Sequence, residues 1–91
     1  TIISIEIPSE LQILIINMEK VPVMDATGYH AIEILYDMCK KSKVELFFIQ
    51  TRRQPLKIML RYGFMEKSMR EHFYRSFEHA FERAVEITLK K

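Results

Sequence analysis

A chain of 91 residues, 48% of them hydrophobic and 29% charged, is long enough for one small domain and no more. Its net charge of +2 gives no electrostatic reason to expect nucleic acid, and a single cysteine, Cys39, excludes an internal disulfide. No apolar run reaches the roughly 20 residues that span a bilayer, no signal-peptide pattern opens the chain, and without an initiating Met it reads as a fragment.

Thr1 to Ile7 admits two readings. Ile3, Ile5 and Ile7 alternate as in a strand, whereas Ile2, Ile5 and the following Pro8-Ser9 suit a frayed helix end. Leu11 to Met18 is nearly uninterrupted apolar sequence, as expected of a strand covered on both faces. The period then changes. Helical spacing predicts a helix from about Ala26 to Lys41, with Ile32, Leu35, Tyr36 and Cys39 inward. Asp37 is spaced to pair with Lys40 and Lys41, and those terminal lysines complement the helix dipole.

Val44 to Ile49 reads as a second strand, parallel to the first through a right-handed crossover. Thr51 to Gln54 lead into a helix with Pro55 in its first turn, Leu56, Met59 and Leu60 inward, and Gly63 as its stop. Phe64 and Met65 are expected to pack back on the core. Glu66 to Glu71 reads as a charged connection, and His72 to Tyr74 as a short edge strand. Ser76 is suited to cap a last helix with Phe77, Ala80, Phe81, Ala84 and Thr88 on one face. There are no repeats or linkers, so residues 1–91 form one unit. The class is α/β, a small mixed or parallel sheet flanked by helices.

In open α/β folds the working surface lies where a strand's carboxyl end hands over to a helix. Here that turn is Val21 to His30. Asp25 is placed to cap the helix, accepting from the amides of Thr27 and Gly28. Thr27 then sits in the first turn with its hydroxyl toward solvent. Gly28 either lets helix and strand approach closely or leaves the turn open to a partner, and Tyr29 with His30 would form a recognition rim. Arg53, Lys57 and Arg61 recur every four residues, with Arg52 near the helix start. The bland reading of this stripe is a solvated face; the functional one is contact with anionic lipid headgroups or an acidic partner.

Catalysis is poorly supported. His30, His72 and His79 are scattered, Cys39 points inward, and two glycines make no phosphate loop. No catalytic residue, metal ligand or cofactor is assigned. A buried, reduced Cys39 fits a cytoplasmic setting.

The run Val-Pro-Val-Met-Asp-Ala-Thr-Gly-Tyr-His-Ala-Ile-Glu-Ile-Leu from Val21 to Leu35 resembles the signature of the STAS domain, shared by sulfate transporters and anti-sigma-factor antagonists. The likeness continues through Val44 to Gln50, Pro55 to Phe64 and Ser76 to Ala84. It implies that the family's N-terminal hairpin and most of its first helix precede Thr1. It also implies that Thr27 holds the place of the residue phosphorylated in the antagonists, and that Asp25, Thr27, Gly28, Tyr29 and His30 bind a partner. The closest likeness is to C-terminal domains of SulP-type anion transporters. That implies a regulatory, protein-interaction domain on the cytoplasmic side of the inner membrane, partnered by the transporter's own transmembrane domain or a cytosolic regulator. A free-standing cytoplasmic antagonist is the alternative, and a small α/β enzyme the outsider.

Overall fold

Leu46, Phe47, Phe48 and Ile49 follow one another and are each at most 4% exposed. Four consecutive buried apolar residues need cover on both sides, which makes them a central strand. The computed structural model, which describes residues 13–64 and 69–89, builds the fold around that strand. In order, the elements are β1 (Ile13–Asn17), α1 (Ala26–Lys41), β2 (Glu45–Ile49), α2 (Arg53–Arg61), α3 (Met69–His72), β3 (Phe73–Tyr74) and α4 (Phe77–Leu89). Among the described residues the sheet is wholly parallel, in the order β1-β2-β3. Ile15 pairs with Phe47, and Ile49 with Tyr74.

Strand alternation divides β2 between two cores. Leu46 and Phe48 point to the side of α1 and α2, meeting Leu35, Cys39, Met59 and Phe64. Phe47 and Ile49 point to the side of α4, meeting Ala80, with Ile13, Ile15, Tyr74, Ala84 and Ile87 around them. Aromatic contacts bind the first core: Phe48 stacks on Phe73 at 4.8 Å and meets the edge of Phe64 at 5.9 Å. The third strand is shorter than expected. His72 belongs to α3, and its Nδ1 lies 2.7 Å from the Leu46 carbonyl.

Both long connections end in the same way. Past α1, Val44 N donates to Cys39 O (2.8 Å) and Lys43 N to Lys40 O (3.2 Å); past α2, Phe64 N donates to Met59 O (2.9 Å) and Gly63 N to Leu60 O (3.1 Å). Each is a Schellman closure, which requires a left-handed residue just beyond the cap. Gly63 takes that conformation at φ +70°, and Lys43 takes it at φ +59° despite its side chain. Ser76 caps α4, accepting from His79 N at 3.3 Å.

Three expectations about facing residues are corrected. Leu60 is 57% exposed, because α2 turns only Pro55 and Met59 fully inward. Phe77 and Phe81 are more than half exposed, since Ala80, Ala84 and Ile87 form the buried side of α4. Asp37 makes no ion pair among the described residues; Lys40 instead lies 5.6 Å from the Tyr36 ring centroid. The expectations for Thr1 to Ile7, Leu11, Met65 and Glu66 to Ser68 fall outside the described residues.

The Thr51 hydroxyl oxygen is buried with no hydrogen-bond partner. Thr51→Val should therefore raise stability by about 1 kcal/mol in urea unfolding, because it removes a desolvated polar atom at nearly constant shape. Lys43→Gly should also stabilise, by about 1 kcal/mol, by relieving the left-handed penalty. Gly63→Ala should cost about the same, although nothing lies within 4 Å of the added Cβ.

Candidate docking turn

The segment from Met18 to Asp25 carries the motif, and it is anchored at both ends by buried methionines, Met18 at 2% and Met24 at 6% exposure. At its start Met18 N donates to Ile49 O (2.9 Å), prolonging the strand pairing, and Asn17 Oδ1 accepts from Glu19 N at 2.8 Å. Its far end is held from another element. Gln54, in the first turn of α2, accepts from Met24 N through Oε1 at 2.6 Å and donates from Nε2 to Met24 O at 3.1 Å. One primary amide thereby satisfies both backbone groups of a residue that no strand pairs. Arg52 adds a longer contact, Nη1 to Glu19 O at 3.5 Å. The turn is thus tied to the amino end of α2.

Asp25 caps α1 as its residue type predicts, in extended backbone, with Oδ1 accepting from Gly28 N at 2.8 Å. The Gly28 amide is the one donor to this carboxylate among the described residues; no bond from the Thr27 amide accompanies it. Thr27 is exposed in the first turn. Gly28 has no strand backbone pressed against it. An added Cβ would lie 3.4 Å from Asp25 Oδ1 and 3.4 Å from Met24 Cγ, so steric need for helix-to-strand approach does not explain this glycine. It lines an open groove of about 480 Å3 together with Ile16, Val21, Val23, Met24 and Ile32. Val23, at 69% exposure, stands on the rim.

Tyr29 does not join that rim. It is 7% exposed, with its ring 4.7 Å from Tyr62 and 6.0 Å from Phe64, because its place on α1 puts it on the inward face. Burial, reinforced by the Glu33 carboxylate, raises its hydroxyl pKa. His30 is exposed, with Nδ1 3.5 Å from Glu33 Oε1. The structure therefore places Asp25 and Gly28 along the groove, leaves Thr27 and His30 exposed on α1 outside its lining, and buries Tyr29. Arg53, Lys57 and Arg61 are exposed on α2, with Arg52 alone reaching back to the turn.

The arrangement offers shape and hydrogen-bonding groups. Cys39 is 1% exposed, and burial raises its thiol pKa, the opposite of what a nucleophile needs. Among the described residues no group of three His, Cys, Asp or Glu side chains stands close enough to hold a metal, and no helix is long and apolar enough to cross a membrane.

Gln54 is the functional residue that sequence reasoning missed. Its partner lies 30 residues away, and a glutamine in a helix's first turn carries no spacing that announces such a contact.

The STAS domain family profile matches residues 2–80. The chain belongs to the STAS domain family. The parallel α/β architecture agrees with that fold, and domains of this family generally regulate or interact rather than catalyse. No curated protein and no solved structure matches the chain.

Two outcomes follow from this geometry. Gln54→Ala should cost about 1–2 kcal/mol and speed hydrogen exchange at the Met24 amide, leaving exchange in β2 limited by global opening. Stability should also fall as pH rises above about 8.5. The folded state holds the Cys39 proton to higher pH than the unfolded chain, so the unfolded state binds fewer protons there. Chemical denaturation across that range should show the fall, and Cys39→Ala should flatten it.

Proposed function

We propose that this STAS domain is the cytoplasmic regulatory and docking module of a SulP-type anion transporter, and that it engages its partner through the turn between β1 and α1. The observation that carries the docking role is the pairing of an exposed surface with a rigid support. Thr27, His30 and the Val23 rim stand free, while the Asp25 cap and the two Gln54 bonds hold the backbone beneath them. A preorganised surface loses little entropy when a partner binds. The choice of transporter rests on resemblance, in Asp25-Ala26-Thr27-Gly28, in His30 to Leu35 and in Ser76 to Ala84. The partner is then the transporter's transmembrane domain or a cytosolic regulator, at the inner face of the cell membrane.

The exposure of Thr27 favours a second reading, a free-standing anti-sigma-factor antagonist switched at that hydroxyl. A phosphate there would bring about −1.5 to −2 charges. The free amides and dipole of the α1 amino end would support it, and Asp25 would oppose it. The fold would persist while the docking surface became strongly negative.

The reading frame around Thr1 separates the two: a membrane-spanning region encoded upstream supports the transporter, and its absence overturns it. In the full-length protein, Gly28→Leu should fill the groove, leave thermal unfolding within a few degrees, and reduce anion uptake several-fold. Unchanged uptake would remove the docking role from this turn. Phosphoryl transfer from a nucleoside triphosphate-dependent kinase, lost in Thr27→Ala, would establish the antagonist instead.

A further inference from the structure

No acidic residue occurs between Glu45 and Glu66, so α2 carries Arg53, Lys57 and Arg61 with no carboxylate of its own. None of the three makes an ion pair among the described residues. At about 100° per residue, their stripe lies beside a shoulder formed by Leu56 and the exposed Leu60. On the opposite side of the sheet, α4 carries the counterpart. Glu78, Glu82 and Glu86 recur at the same four-residue spacing, and beside them stand Phe77, Phe81 and Val85, 51%, 53% and 39% exposed. The rings of Phe77 and Phe81 stack at 5.8 Å, giving that shoulder a continuous surface. Glu86 already holds Arg83 at 3.0 Å, whereas Glu78 and Glu82 make no ion pair among the described residues.

We propose that the basic face of α2 docks, antiparallel, on the acidic face of α4 in a second copy of this chain. The orientation follows from handedness. Measured round each helix from its inward residue, Met59 or Ala80, the apolar shoulder comes at about 60–140° and the charged stripe at about 120–240°, in the same rotational sense. Turning a second helix end over end to face the first leaves like flank against like flank. Leu56 and Leu60 then meet Phe81 and its neighbours, Lys57 meets Glu82, and Arg61 meets Glu78. A parallel approach would set cations against phenylalanines and carboxylates against leucines. Because α2 and α4 cover opposite faces of the sheet, each copy offers one stripe at either side. The contact is heterologous, and copies join head to tail. With α2 nine residues long, or about 13 Å, the interface falls in the small, transient class and depends on local concentration.

The test is sedimentation velocity on the 91-residue chain, up to about 1 mM, where a contact of this size becomes populated. The weight-average mass should rise with concentration at about 0.01 M salt and stay monomeric at about 1 M, where screening is complete within about 3 Å. Lys57→Glu and Glu82→Lys should each weaken association about tenfold or more, with far-UV circular dichroism unchanged. The Lys57→Glu/Glu82→Lys double variant, or an equal mixture of the single variants, should restore it. A monomer at every concentration and salt overturns the proposal, as does failure of the double variant and mixture to recover. Binding of the basic face to phosphatidylserine vesicles without any self-association would assign α2 to a lipid surface and overturn it too.

Discussion

The burial of β2 on both faces is the constraint from which the rest of the structure follows. Leu46 to Ile49 leave no side of the strand for solvent, so one short segment demands two separate apolar covers. Pleat alternation assigns Leu46 and Phe48 to α1 and α2, and Phe47 and Ile49 to α4. A parallel partner on either side supplies the backbone hydrogen bonds, and each return to the next strand needs a crossover. The carboxyl ends of β1 and β2 consequently share one edge, where the two following helices begin side by side. Proximity there is imposed by topology.

Proximity alone would leave the turn after β1 mobile, because Val21 to Met24 lie outside any strand. Gln54 changes that with two hydrogen bonds to a single peptide residue. Its amide provides both a donor and an acceptor in one plane, as a neighbouring strand would, so both polar groups of Met24 are satisfied. The cost of ordering this segment is met during folding. The same residue gives the motif turn and α2 a common support, so the start of α2 and the turn are joined through a named contact.

Charge is distributed with comparable economy. The chain is nearly neutral overall, yet its basic and acidic stripes lie on helices that cover opposite sides of the sheet. Separated in this way, they cannot neutralise each other within one molecule. Each keeps an apolar shoulder that remains partly exposed, at Leu60 and at Phe77 with Phe81. Net charge hides this polarity; only the placement of the two helices reveals it.

Much of the fold was legible in the residues. The apolar run in β2, the spacing of Leu35 and Cys39, the Asp25 and Ser76 caps and the Gly63 stop are local signals, and each acts within a few residues of where it is read. They determined the order of β1, α1, β2, α2 and α4, the parallel pairing of β1 with β2 and the exposed place of Thr27. They did not determine the short helix Met69–His72, because the charged residues around it read as a connection. Helical periodicity misled where a helix touches the core along a strip narrower than its apolar residues, so Leu60, Phe77 and Phe81 face outward. Tyr29, expected on the rim because it adjoins the turn, instead follows the buried stripe of Ile32 and Tyr36. The Gln54 clamp and the opposed charged faces were decided by the tertiary structure alone. They depend on distances between segments far apart in the chain, and such distances exist only after the sheet has brought those segments together.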